Sequence, residues 1–352
     1  MTDWPKVQLH VVTGKGGTGK STVAAALALA LAGSGRNVLL CEVEGRQGIA
    51  RMFDVDPLPY EERRVAKGLP DVHGRAGQVH ALHIDPESAL LEYLSMYYKL
   101  GRAGKALNRF GVIDFATTVA PGVRDVLLTG KVYEAVLRPR QSGKKGADKK
   151  GTDKKGTDKG RKRTAMTYDA VVLDAPPTGR IGQFLGVNSE LAGLAKVGPI
   201  KSQADRVMAL LRSPRTAVHL VTILEEMPVQ ETSDGIADLR AGGLPVGGVI
   251  VNLVRPQDLG AQDLAAVRAG TVDSTAIASD LARAKVDVDS ALVTSLIHEA
   301  ADHAVRRQLE DEQREIVSHL DAPTYELPRL AGGIDRGSLL ELAALLRKQG
   351  MA

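Results

Sequence analysis

The sequence predicts an α/β fold in which a mostly parallel central sheet lies between layers of helices. Residues 7–12 form a short β-branched run typical of a buried strand, and the Ala- and Leu-rich residues 22–31 favour a helix. Residues 37–44 indicate a second strand. A strand, a helix and a strand in quick succession make a βαβ unit, which requires parallel strands. Residues 168–174 are apolar enough for the centre of that sheet.

A glycine-rich loop joins the first strand to the first helix and matches the phosphate-binding pattern G-x-x-x-x-G-K-[ST]. Its small residues allow successive backbone N–H groups to point at one anion, and the helix dipole favours negative charge there. We therefore expect a P-loop NTPase fold of three layers. Lys20 would contact the β- and γ-phosphates of a nucleotide, and Ser21 would bind Mg²⁺. The loop consists of Gly14, Lys15, Gly16, Gly17, Thr18, Gly19, Lys20, Ser21 and Thr22.

The rest of the chain predicts further strands and helices. Strands are expected at residues 79–85, 217–223, 247–254 and 324–328, and residues 45–78 look irregular. Helical patterns are expected at residues 87–100, at 114–137 with a break at Pro121 and Gly122, and at 231–241. Residues 257–320 are expected to be mostly helical, with 291–320 amphipathic, and residues 338–348 to form a closing helix. Residues 87–137 would form a helical subdomain inserted at one edge of the sheet. Because no break requires a second core, we expect residues 1–352 to form one domain.

Composition sets limits on the class of protein. Hydrophobic residues make up 43% of the 352 and charged residues 25%, which is ordinary for a globular protein. The single cysteine, Cys41, excludes an intramolecular disulfide and an all-cysteine metal site within one chain. The longest apolar run, residues 23–32, is too short to span a bilayer, and the N-terminus lacks the apolar core of a secretion signal. We therefore expect a cytoplasmic protein without stable membrane insertion.

Residues 139–165 form a basic, low-complexity stretch that repeats G-x-D-K-K. Ten Lys or Arg and three Asp lie in residues 144–163, which leaves 36 basic and 39 acidic residues elsewhere. So few apolar residues cannot offset the entropy lost on ordering, and the stretch is predicted to be a disordered surface insertion. Dense positive charge can contact phosphates without reading sequence, so no specific nucleic-acid partner is expected.

Several motifs resemble one family. Lys15 gives the loop the form G-K-G-G-T-G-K-S, which resembles the deviant Walker A of the MinD/ParA, nitrogenase iron protein and arsenite-pump (ArsA) ATPases. Residues 44–53 lie where the ArsA-type ATPases, which include the tail-anchored-protein targeting factors, carry switch I. Residues 174–180, D-A-P-P-T-G-R, are similar to their switch II, D-T-A-P-T-G-H. The resemblance covers nearly the whole chain apart from the basic insertion.

The resemblance implies an Mg²⁺-dependent ATPase with ATP near a dimer interface. Lys15 would reach the nucleotide of the neighbouring subunit, and Asp174 would hold Mg²⁺ through water. Glu44 occupies the place of an Asp that orients the attacking water. Asn252 resembles an Asn that contacts adenine, and Pro328 lies where the backbone closes over the base. From the residues alone, Lys15 can also be a solvated charge on the loop. Glu44, Asp174, Asn252 and Pro328 can also be ordinary residues at strand ends.

Departures from the family pattern limit the functional prediction. One cysteine cannot form the clusters with which family members bind metalloid or share zinc, and Arg180 replaces a His of switch II. Because the chain has one P-loop, a homodimer or a heterodimer with a paralogous ATPase is expected.

Three functions follow from these patterns. The leading one is an ATPase whose nucleotide drives a dimer switch acting on an unknown client protein. A MinD/ParA-type positioning ATPase is an alternative, although the apolar residues surrounding most of helix 339–346 favour its burial. The third is a nucleotide-gated chaperone or scaffold that does not hydrolyse ATP.

Overall fold

The computed structural model describes residues 2–33, 35–45, 47–71, 73–98, 121–140, 166–194 and 199–352. Within these residues a central sheet has the strand order β3-β4-β2-β5-β1-β6-β7-β8. Its strands are β1 (Leu9–Gly14), β2 (Asn37–Glu42), β3 (Arg63–Lys67), β4 (Gln78–His83), β5 (Ala170–Asp174), β6 (Thr216–Thr222), β7 (Val246–Val254) and β8 (Thr324–Pro328). β3 is antiparallel to β4, and every other pair is parallel. The predicted α/β fold with a mostly parallel sheet is confirmed.

Helices cover both faces of this sheet. In the described residues they are α1 (Lys20–Leu31), α2 (Gly48–Met52), α3 (Pro86–Tyr98), α4 (Pro121–Leu137), α5 (Thr178–Leu194), α6 (Pro199–Leu211), α7 (Glu226–Ala241), α8 (Ala261–Ala269), α9 (Ser274–Arg283), α10 (Ser290–Ser318) and α11 (Arg336–Lys348). None of them combines the length and the apolar content needed to cross a bilayer.

The prediction that residues 45–78 are irregular is wrong in two places. α2 is a five-residue helix, and β3 is an edge strand. β3 buries Val65 and Ala66 but exposes Arg63, Arg64 and Lys67, so its alternation is too short to recognise. Charged side chains are typical of edge strands, because they discourage pairing with another chain.

The boundaries of the other predicted elements agree with the described residues to within a few residues, with one larger shift, whereas α5 and α6 are not predicted from the sequence. α7 starts at Glu226, five residues earlier than expected. Pro228 lies in its first turn, where the missing N–H leaves no intrahelical hydrogen bond unmade. Residues 99–120, part of the helical subdomain predicted over 87–137, lie outside the described residues. The same holds for residues 141–165 of the predicted disordered insertion at 139–165.

The two faces of the sheet carry separate apolar cores because side chains alternate along each strand. Leu39 belongs to the core beneath α4, α5 and α7, whereas Leu40 belongs to the core beneath α1 and α11. α1 is enclosed between the sheet and α11, and the Ala residues of α1 allow this close approach. Leu339, Leu342 and Leu346 of α11 are buried there, which confirms the burial expected for this helix.

Gly77 marks a close contact where β4 starts beside the end of α1. Its N–H donates to the Ala32 carbonyl at 2.8 Å, and a Cβ at this position would lie 1.7 Å from the Arg36 carbonyl oxygen. We expect Gly77→Ala to lower the free energy of unfolding by about 1–3 kcal/mol, because backbone must move to accept the methyl group.

Urea unfolding of Gly77→Ala beside Gly182→Ala tests this expectation. Gly182 is exposed on α5, and a methyl group added there would meet no atom within 4 Å beyond its chain neighbours and the backbone of its own helix. Alanine there should be neutral or stabilising by up to about 1 kcal/mol. Equal behaviour of the two variants would contradict the packing argument.

Candidate nucleotide-binding site

The glycine-rich loop lies at the carboxyl edge of the sheet, at its centre. β1 ends at Gly14 between β5 and β6, and α1 begins at Lys20. The loop closes on itself, because the Thr18 N–H and hydroxyl both donate to the Lys15 carbonyl, at 3.3 and 2.9 Å. These internal hydrogen bonds give the loop a fixed shape. Its position at the positive end of α1 suits a phosphate group.

Asn252 supports the loop from behind. Its side-chain amide lies near the end of β7 and donates to the Thr18 carbonyl at 2.9 Å. Gly19 adopts a left-handed conformation with φ 86°, and a Cβ there would lie 2.4 Å from the Asn252 Nδ2. Glycine is therefore required both by the backbone and by this close approach. The contact of Asn252 with the loop is not predicted from the sequence, and its contact with adenine remains a prediction.

Ser21 and Asp174 meet next to the loop. The Ser21 hydroxyl donates to Asp174 Oδ2 at 2.6 Å, since Asp174 ends β5 directly beside β1. Burial raises the pKa of Asp174 to about 6, although the Ser21 hydrogen bond and the Lys20 charge lower it. A hydroxyl and a carboxylate are oxygen ligands that suit Mg²⁺, which needs few protein ligands when phosphates supply others. The residues present therefore fit a magnesium nucleotide.

The two loop lysines have different surroundings. The Lys20 side chain is buried at the start of α1. Lys15 forms an ion pair with Glu231 of α7, and both side chains are about one-third exposed, at 31% and 33%. Lys15 is thus paired within its own chain, at a position that solvent reaches.

Glu44 lies two residues beyond the end of β2. It is half-buried, and its charge contributes to raising the pKa of Asp174, so the two carboxylates lie within electrostatic range of each other. Val43 separates Glu44 from Glu42, the last residue of β2. Glu42 is a buried carboxylate that aligns with Asp174 on β5 and with His83 on β4. Burial raises the pKa of Glu42 to about 7.

Glu42 is not among the residues predicted from the sequence. The available signal was a charged residue at the end of an otherwise apolar strand.

Pro328 and the segment after Asp174 lie at the same edge. Pro328 ends β8 and aligns with Val254 of β7, two residues after Asn252. In residues 174–180, predicted to be switch II, an Arg180 guanidinium nitrogen lies 3.8 Å from Asp125 Oδ2 of α4, and the Thr13 hydroxyl donates to the Pro176 carbonyl at 2.7 Å. This segment is therefore connected both to β1 and to α4.

Comparisons with known proteins agree with this geometry. Residues 7–214 match the family model of the anion-transporting ATPases, the ArsA family. The chain belongs to the ArsA family. It is 49% identical over 352 residues to the ATPase BagA of Mycobacterium tuberculosis, a match that covers 99% of this chain and 96% of that protein. It is 24% identical over 282 residues to an arsenical pump-driving ATPase of Escherichia coli, covering 76% of this chain and 43% of that protein.

The family resemblance predicted from the motifs is confirmed. The chain contains a single cysteine. Cys41 lies buried within β2, where burial raises the pKa of its thiol. A thiol that stays protonated is a poor metal ligand, because the thiolate is the form that binds.

Proposed function

We propose that the protein is an Mg²⁺-dependent ATPase in which ATP drives a dimer switch acting on an unknown client protein. The observation that carries this proposal is the contact of 2.6 Å between the Ser21 hydroxyl and Asp174, formed at the mouth of the phosphate-binding loop. It brings together a hydroxyl at the start of α1 and a carboxylate at the end of a neighbouring parallel strand. Membership of a family of ATPases supports the same activity.

The chain's own residues divide the work of phosphoryl transfer. The loop N–H groups of residues 15–20 and the Lys20 ammonium would bind the phosphates, and Ser21 and Asp174 would hold the Mg²⁺, Asp174 through water. Bound Mg²⁺ neutralises charge on the phosphate oxygens. Glu44 would orient the attacking water, since its carboxylate is near Asp174 and half-exposed. Asn252 keeps the loop in shape, and Asn252 with Pro328 would border the adenine.

Lys15 provides the link to a second subunit. Its ammonium pairs with Glu231, and because both side chains are partly exposed, this ion pair contributes little to stability. Exchange of Glu231 for the phosphates of a neighbouring subunit would therefore cost little. We propose either a homodimer or a heterodimer with a paralogous ATPase, closed by ATP and reopened after hydrolysis.

The test of this function is ATP turnover by the wild-type protein and by Glu44→Gln. We expect Glu44→Gln to lower kcat about 10²-fold with a small change in KM, because the amide cannot accept a proton from water. Glu61→Gln, at an exposed position outside the site, serves as the control and should match the wild type.

The outcomes separate an ATPase from a scaffold that does not hydrolyse ATP. No turnover in the wild-type protein despite ATP binding would favour a scaffold gated by nucleotide. Equal turnover in wild type and Glu44→Gln would remove Glu44 from the mechanism.

A further inference from the structure

We propose that Glu42 is the positioning residue for Glu44: its carboxylate closes the loop that carries Glu44 and so fixes where that side chain lies. The functional part of this inference rests on the ATPase activity proposed above. The structural part, a loop closed by the side chain of its own first residue, stands on the contacts alone.

The loop starts at Glu42, and its last residue, Gly48, makes a hydrogen bond back to the Glu42 side chain. The chain leaves β2 at Glu42, passes Glu44, and returns six residues later, where the Gly48 N–H donates to Glu42 Oε1 at 2.8 Å. Glu42 is 2% exposed, so water does not compete effectively for this hydrogen bond. The short segment with Glu44 is therefore tied at both ends to one residue of the sheet.

A second clamp holds the far end of the same segment. Gln47 has a left-handed backbone with φ 52°, which is unfavourable for a residue with a side chain. Its side-chain amide accepts from the Leu58 N–H at 2.7 Å and donates to the Leu58 carbonyl at 3.1 Å. Because the surroundings maintain an unfavourable conformation next to Gly48, the turn that returns the chain to Glu42 is enforced from both sides.

The second carboxylate oxygen of Glu42 supports the view that Glu42 serves to accept the hydrogen bond from Gly48. Within the described residues, Glu42 Oε2 has no hydrogen-bond partner. The His83 Nδ1 is 3.9 Å away and likewise has none. A buried carboxylate with an unsatisfied oxygen is costly, and a leucine in its place would avoid that cost. Holding the loop that carries Glu44 is a function that leucine lacks.

Two substitutions separate the acceptor from the charge. Glu42→Gln keeps a carbonyl oxygen for the Gly48 N–H, whereas Glu42→Leu fills similar volume and removes the acceptor. We expect kcat for Mg²⁺-ATP to fall about 10- to 100-fold in Glu42→Leu, with KM changed less than about twofold, because the phosphate loop is untouched and Glu44 is displaced. Glu42→Gln should stay within about threefold of the wild-type kcat.

Amide hydrogen exchange at Gly48 in the nucleotide-free protein gives a readout that does not depend on turnover. Exchange should be slow in the wild-type protein and in Glu42→Gln, and faster in Glu42→Leu. If the wild-type protein shows no ATPase activity, the proposed function fails, and exchange at Gly48 still decides whether Glu42 closes the loop.

Three results would overturn the inference. One is an unchanged Gly48 exchange rate in Glu42→Leu. Another is a loss of kcat in Glu42→Gln equal to that in Glu42→Leu, since the charge would then matter and not the acceptor. The last is an increase of KM alone, which would place Glu42 in nucleotide binding.

Discussion

Replacement of Lys20 by alanine should lower kcat/KM for ATP by about 10³-fold or more and remove detectable binding of Mg²⁺-ATP in calorimetry. The Lys20 side chain is buried at the start of α1, and its charge already acts on the neighbouring Asp174. A positive charge in such a water-poor site stabilises phosphate far more than one at the surface. Without Lys20, the phosphates would face the carboxylates of Asp174 and Glu44. The loop N–H groups would then be their remaining favourable partners in the loop.

Lys15→Ala is the informative companion variant. Lys15 is partly exposed and paired with Glu231, so we expect the monomer to retain ATP binding while ATP-dependent dimerisation, measured by light scattering, is lost. Lys67→Ala, at an exposed position on β3, controls for the loss of one positive charge.

Unchanged ATP affinity in Lys20→Ala would refute the assignment of the phosphate site.

The parts of the fold that sequence predicts best are those dictated by local pattern and sheet geometry. β8 starts and ends at the predicted residues, because Thr324–Pro328 is a short alternating run closed by proline. The meeting of Ser21 with Asp174, 153 residues apart, follows from the rule that parallel strands end at one edge. Neither inference needs knowledge of packing.

What sequence misses depends on partners that are distant in the chain or on elements too short to show a period. α2 has five residues and follows a left-handed Gln47, a conformation that no local preference of glutamine indicates. Asn252 lies 234 residues from Thr18, and an Asn at a strand end carries no mark of which carbonyl its amide will reach. Glu42 is missed for the same reason, because its hydrogen bond to Gly48 forms only when the chain turns back at that residue.

A buried histidine pair on the central strands is independent of the nucleotide site and makes stability depend on pH. The Gly248 N–H donates to His219 Nδ1 at 3.0 Å, so the His219 proton is on Nε2. That nitrogen lies 3.0 Å from His10 Nδ1, which must therefore accept. Both imidazoles are completely buried and held neutral, and protonation of either would convert an acceptor into a donor facing a donor.

Acid should therefore destabilise the protein through this pair. Burial is the main cause that lowers the pKa of His219 to about 3 and that of His10 well below 6.5. A lowered pKa in the folded state gives stability that is complete above pH 6.5 and is lost as the pH falls, because the unfolded chain binds the protons. Well below pH 6.5 each histidine costs about 1.4 kcal/mol per pH unit, so the pair should lose about 3 kcal/mol between pH 6.5 and pH 5.

Urea unfolding of the wild-type protein and of His10→Leu at pH 7 and pH 5 isolates this contribution. The raised pKa values of Glu42 and Asp174 act in the opposite direction, since those carboxyl groups favour the folded state as the pH falls, and they are common to both proteins. His10→Leu should start less stable by about 1–3 kcal/mol, because the His219 Nε2–H loses its acceptor, and it should then lose about half as much stability on acidification. His298→Gln, on the exposed surface of α10, should follow the wild type. An identical pH dependence in His10→Leu and the wild type would show that the pair does not set the acid sensitivity.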